Sequence, residues 1–249
     1  MATTTLNYRD QIQRCAQAMA LGYAEVVRPF LATGMSVEQV RLFTEDNIEK
    51  RIGKIRDQVE LLVPVFDDLD ALISAFVQES PLVAYDTGCS DSDRFLKWIC
   101  LGKELSPEQE DYVACQMARQ EVETIARSNR LGHVRFQELW RMVSTLQKDI
   151  QTNSRLRILL NPIRTWTSFQ SDVLIGESDE LPADVLFFAC GNQVRTSVFE
   201  ETGKQHLETL ASHGPLTLED WRRFERSATR SDLIEFCLDA AEMGLVAFG

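Results

Sequence analysis

The chain has little that interrupts a helix: 12 glycines and 7 prolines among 249 residues. A sandwich or barrel of short strands needs a turn signal roughly every ten residues, so this scarcity points to long helices. Histidine is scarcer still, at three residues, which leaves few places for a His-dependent catalytic constellation. No apolar run approaches the ~20 residues that a membrane-spanning helix requires. The densest, Val185 to Cys190, is far shorter. Met1 to Leu6 carry no basic segment leading into an apolar core, so no secretory signal is expected there. There is no Walker A loop, no GxGxxG, no GxSxG and no HExxH.

Six cysteines are present, Cys15, Cys89, Cys100, Cys115, Cys190 and Cys237, with no CxxC pair. A zinc ribbon or thioredoxin-type site is therefore unsupported. Six reduced thiols, most of them small core residues, fit a cytoplasmic protein. Neither a cofactor nor a metal site follows from the residues.

What is present is ordinary globular composition, 44% hydrophobic and 26% charged, with a net charge of −12. That excess of carboxylates repels phosphate backbones and anionic lipid, so nucleic acid and membrane surfaces are disfavoured partners. A local basic patch can still override the total.

A first helix is expected over residues 6–31. Ser36 and Gln39 have the spacing of a capping box opening a second. Ile48, Ile52, Ile55, Val59, Leu62, Phe66, Leu69, Ile73 and Phe76 then follow at alternating steps of four and three. Such a heptad ridge packs against a near-parallel or antiparallel helix, in the same chain or in a second copy. Pro64 must kink or break it, since proline removes a backbone bond and clashes with the preceding turn. Further helices are expected over 92–101, over 107–128 with Ser106 and Gln109 as a second capping box, and over 133–150. Beyond Asn153 the pattern changes. Short strands are expected near 155–160 and 184–189, irregular chain over 161–183, and helices over 193–213, 217–224 and 231–243.

Val185 to Thr196 resembles the phosphate loop of the low-molecular-weight tyrosine phosphatases and the related arsenate reductases. There an apolar strand runs into a cysteine, five residues, an arginine, a Ser or Thr and a helix. Gly191-Asn192 and Arg195-Thr196 align, but the nucleophile position falls on Ala189 and Cys190 sits one place late. The resemblance covers some twelve residues. It implies at most an anion held by Cys190, Gly191, Asn192, Arg195 and Thr196 at a strand-to-helix turn, where amides and guanidinium meet charge.

Other constellations carry less. His206 and His213, seven residues apart on one helix, stand about 10.5 Å apart along the axis, too far for one metal ion. Asp86, Asp91 and Asp93 lack calcium-loop spacing; Asp91 or Ser92 as a helix cap explains more. Arg222, Arg223, Arg226 and Arg230 are interspersed with carboxylates of the wrong sign for a DNA-reading helix.

The sequence thus predicts a mainly α protein. Residues 1–152 would form a helical bundle or array containing a long kinked helix over 36–79. Residues 153–183 would be an irregular connection, and 184–249 a smaller, mostly helical region. The leading functional expectation is a protein–protein interaction protein, either adaptor, regulatory subunit or chaperone-like factor, with Ile48, Ile52, Ile55, Val59 and Leu62 as its interaction seam and a protein partner that includes a second copy of itself. The other expectation is an enzyme or sensor of a small anionic ligand using Cys190–Thr196.

Overall fold

A computed structural model describes residues 37–80, 89–176 and 181–249. The expected helix over 6–31, the Ser36 cap and Asp86 lie outside the described residues. The chain divides into two compact units, Met1–Val113 and Ala114–Gly249, a boundary earlier than the change of sequence pattern at Asn153.

In the first unit, α1 spans Val37–Gln58, followed by a 3-10 turn at Glu60–Leu62 and α2 at Leu69–Glu79. Pro64 stands in the break between the two helices. Arg56 reaches Asp70 at 3.2 Å and Arg51 reaches the carbonyls of Val77 and Ser80, so α2 runs back along α1. The expected single helix over 36–79 is thus two antiparallel helices. From Ile55 to Phe76 every ridge residue is buried, while Ile48 and Ile52 are half-buried. The ridge folds onto itself, and each half supplies apolar surface for the other. Next come α3, Asp91–Gly102, and the start of α4, Pro107–Ser128. Phe76 meets Phe95 edge-on at 5.5 Å and Trp98 at 5.9 Å. The cap of α3 is Ser90, whose box partner is Asp93, rather than Asp91 or Ser92. Ser106 and Gln109 exchange the bonds of the expected capping box at 3.1 and 3.2 Å.

The second unit contains the rest of α4, then α5 (Arg130–Arg141), α6 (Val143–Leu146), β1 (Arg157–Leu160), β2 (Arg164–Phe169), β3 (Ala183–Cys190), β4 (Gln193–Val198), α7 (Glu201–His213), β5 (Leu216–Thr217), α8 (Leu218–Phe224), α9 (Arg230–Met243) and β6 (Val246–Phe248). Two antiparallel three-stranded sheets form, ordered β5-β1-β6 and β2-β3-β4. Strands take more of this region than its sequence pattern predicts. Residues 164–169, expected to be irregular, form a strand, and Gln193–Val198, expected to open a helix, forms another.

The second sheet explains its own sequence. Val185, Phe187 and Ala189 pack in one apolar cluster with Val122 of α4. Leu186, Phe188 and Cys190 enter another with α7 and α9. β3 is covered on both faces, so it reads as a continuous apolar run rather than an alternating one. Buried Asn161 ties the sheets together. Its Nδ2 donates to the Ala189 and Gly244 carbonyls at 2.8 and 3.0 Å, and its Oδ1 accepts from Ile163 N at 2.9 Å.

The chain is therefore mainly helical with two small sheets, and no helix among the described residues is long and apolar enough to cross a membrane.

Candidate functional site

The two-residue turn Gly191-Asn192 decides what residues 190–196 can do. Cys190 pairs with Gln193 across it. Gly191 has φ +62°, and no non-glycine residue among the described residues is left-handed, so Asn192 is not, which is the signature of a type II′ hairpin turn. The chain leaves this turn as a strand. The strand-to-helix cradle expected at Cys190–Thr196 therefore does not form, because there is no helix N-terminus to aim amides at an anion. Cys190 is buried against Gly244, and Arg195 turns to donate to the Met243 carbonyl at 3.3 Å.

The same turn fixes which backbone groups of β4 are free. In a two-residue hairpin the closing pair exchanges both hydrogen bonds and alternate pairs follow. Gln193, Arg195 and Ser197 thus bond to β3, while the N–H and C=O of Val194, Thr196 and Val198 point away from the sheet. β4 is an edge strand. Among the described residues no hydrogen bond engages those outward groups. Val198 is 46% exposed, high for a β-branched residue in a strand.

Beside the end of β4 lies a cleft of about 350 Å³, bounded by Val198, Phe199 and Glu200 on one side and Phe236, Asp239 and Met243 of α9 on the other. Phe199 is held by Trp166 at 5.9 Å and Phe236 at 6.4 Å. The apolar floor is therefore built of fixed rings. Among the described residues no ion pair engages Glu200 or Asp239, so the cleft carries two uncompensated carboxylates.

His206, also lining the cleft, belongs to a buried network. Its Nδ1 lies 3.5 Å from Glu225 Oε2, an ion-pair distance that is long for a hydrogen bond. Thr209 Oγ1 donates to the other Glu225 oxygen. His206 meets Phe236 edge-on at 5.0 Å and Trp221 at 5.8 Å. The carboxylate sits between hydroxyl and imidazole, so this is not a nucleophile–base order; it holds α7, α8 and α9 together. His213 stacks on Phe224 at 3.8 Å, away from His206.

The remaining candidates have structural duties. Asp91 binds Arg51 and Asp93 caps α3. Arg223 pairs with Asp220 and Arg230 donates to the Gln151 carbonyl. Ile55, Val59 and Leu62 of the expected interaction seam are buried within the first unit. Burial pushes the Cys237 thiol far above its ordinary range, which makes it inert. No group of three or more His, Cys, Asp or Glu able to hold a metal ion occurs among the described residues.

The β4 edge is the feature that sequence reasoning missed. Its signal was legible: Gly-Asn followed by the β-branched alternation Val194, Thr196, Val198 is a hairpin pattern. Comparison with known proteins adds nothing, since no family model, no curated protein and no solved structure matches the chain.

Proposed function

We propose that the chain is a protein-interaction module that holds an extended segment of a partner protein along β4. A sheet edge with free N–H and C=O groups pairs with an added strand, and nearby pockets select its side chains. The observation that carries this reading is the conjunction of the unpaired Val194–Val198 edge with an apolar, acidic cleft at its end. The segment that fits is extended, apolar at alternate residues, and bears a Lys or Arg to meet Glu200 and Asp239. An adaptor or regulatory subunit needs no more than this. This reading rests on β4 rather than on the heptad ridge, whose residues from Ile55 to Phe76 are buried within the first unit.

Phage display of random dodecapeptides against the full chain tests the proposal. Selection is expected to enrich alternating apolar peptides with a basic residue, and Thr196→Pro is expected to abolish their binding. That substitution removes an outward N–H that β3 does not use, so the sheet survives it, as far-UV circular dichroism will verify. Absence of enrichment, or enriched peptides that bind folded Thr196→Pro equally well, defeats the proposal.

A further inference from the structure

A groove of the second unit lies on the other face of the β2-β3-β4 sheet from α9, and its charge is opposite to that of the protein. It measures about 920 Å³ and runs between the α4–α5 corner and the β3–β4 turn. Arg119 and Arg127 line it from one face of α4, Arg130 and His133 from the first turn of α5, and Gly191 and Asn192 from the turn. Positions 119, 123 and 127 fall on one helix face because side chains four apart are neighbours.

Three guanidinium groups oppose one carboxylate, Glu123, in a chain whose net charge is −12. Selection for solubility alone gives no reason to gather arginines there. None of the three pairs with a carboxylate among the described residues. Arg127 donates only to the Glu123 carbonyl at 3.2 Å and to Thr124 Oγ1 at 3.4 Å within its own helix. The Arg119 and Arg130 side chains make no hydrogen bond or ion pair among the described residues. His133 Nδ1 is buried without a hydrogen-bond partner, although buried polar atoms are ordinarily satisfied. The groove therefore offers the guanidinium forks of Arg119 and Arg130 and the side-chain amide of Asn192, none of which has an acceptor among the described residues, beside Arg127, whose only acceptors lie in its own helix.

We infer that this groove binds a small phosphorylated molecule. Arginine forks match phosphate oxygens bidentately, and a dianionic group balances three arginines against Glu123. The groove lies within the size range of small-molecule sites. The acidic remainder of the surface repels a long polyanion such as nucleic acid. The ligand thus meets Gly191 and Asn192, two of the residues expected to bind an anion, but through arginines of α4 and α5 rather than Arg195.

Titration calorimetry of the full chain with inorganic pyrophosphate and, separately, with ATP is the test. Binding of either is expected, weakened about tenfold or more by Arg119→Ala or Arg130→Ala, since a charge-assisted bond carries that much affinity. Arg130→Glu is expected to abolish it. Arg222→Ala, which removes an exposed arginine of α8, is expected to change nothing. All three groove arginines are exposed, so the variants should fold, and melting curves will verify that. If neither probe binds, if Arg222→Ala weakens binding as much, if the loss occurs only in Arg195→Ala, or if a DNA 20-mer binds more tightly than both probes, the inference is overturned.

Discussion

Arg51 and Asp91, forty residues apart, meet in a two-pronged ion pair, Nε to Oδ2 at 2.7 Å and Nη2 to Oδ1 at 3.0 Å. The Arg51 side chain is 6% exposed and also donates to the Val77 and Ser80 carbonyls at 3.3 and 2.7 Å. One guanidinium therefore joins α1, the end of α2 and the first turn of α3, and it satisfies carbonyls that α2 leaves open at its C-terminus. Asp91→Ala strands this buried cation and should cost about 3 kcal/mol. Arg51→Met/Asp91→Ala should cost less than the sum of the two single changes. Urea unfolding followed by circular dichroism checks both, and strict additivity would show that the pair is not coupled.

How far the fold was legible in the sequence depended on whether the deciding interaction was local. The capping box at Ser106 and Gln109, the α4 limits and the buried ridge are local or periodic, and the residues announce them. The reversal at Pro64 is different. Proline dictates a break, but whether the two halves continue or fold together depends on surfaces distant in sequence. β2 was illegible because Arg164, Thr165, Thr167 and Ser168 offer no apolar alternation; the strand exists because β3 pairs with it. β6 is three residues long and exists through β1. The candidate site departs from its sequence pattern for one physical reason. The pattern predicts a helical continuation after Gly191-Asn192, where the glycine's positive φ instead reverses the chain.

Asn161 yields a second prediction. Its side chain satisfies two carbonyls and one N–H from three separate segments, and its own N–H donates to the Leu245 carbonyl at 2.8 Å. Asn161→Ala keeps that backbone bond but orphans three buried groups, each costing about 1–3 kcal/mol. A loss of about 3 kcal/mol or more is expected. Asn161→Asp should be nearly as damaging, because a carboxylate cannot donate to the Ala189 and Gly244 carbonyls. Thermal melts of the two variants test this; an Asn161→Asp protein as stable as the parent would refute the assignment.

The capping box of α9 gives a pH dependence. Asp232 accepts from Thr229 N at 2.9 Å, while Thr229 Oγ1 accepts from Asp232 N at 3.2 Å. The Thr229 backbone bond, then its hydroxyl, holds the Asp232 carboxyl below the ordinary aspartate range. A folded pKa below the unfolded one means that the cap stabilises fully above the unfolded value and fades as pH falls through the folded one. Asp232→Asn should therefore destabilise at neutral pH, with the difference from the parent shrinking at acid pH. Thr229→Ala should cost about 1 kcal/mol. Urea midpoints measured from neutral pH to pH 3 check the sign; a difference that grows on acidification would contradict it.

The last prediction concerns the cleft beside β4. Asp239 lies on α9 facing the end of the edge strand, and Glu200 opposes it from the start of α7. Backbone pairing along β4 is blind to side chains, so affinity for an added strand should survive charge reversal there, while selectivity should not. Asp239→Lys is expected to weaken a selected Lys- or Arg-bearing peptide about tenfold and to strengthen its Glu-substituted counterpart, with the parent's preference fading at high salt. Thr196→Pro should instead weaken both peptides alike. Fluorescence anisotropy with the two labelled peptides separates these effects. If Asp239→Lys left the charge preference intact, the cleft would not be where the partner's side chain is read, and the role of β4 would reduce to backbone pairing alone.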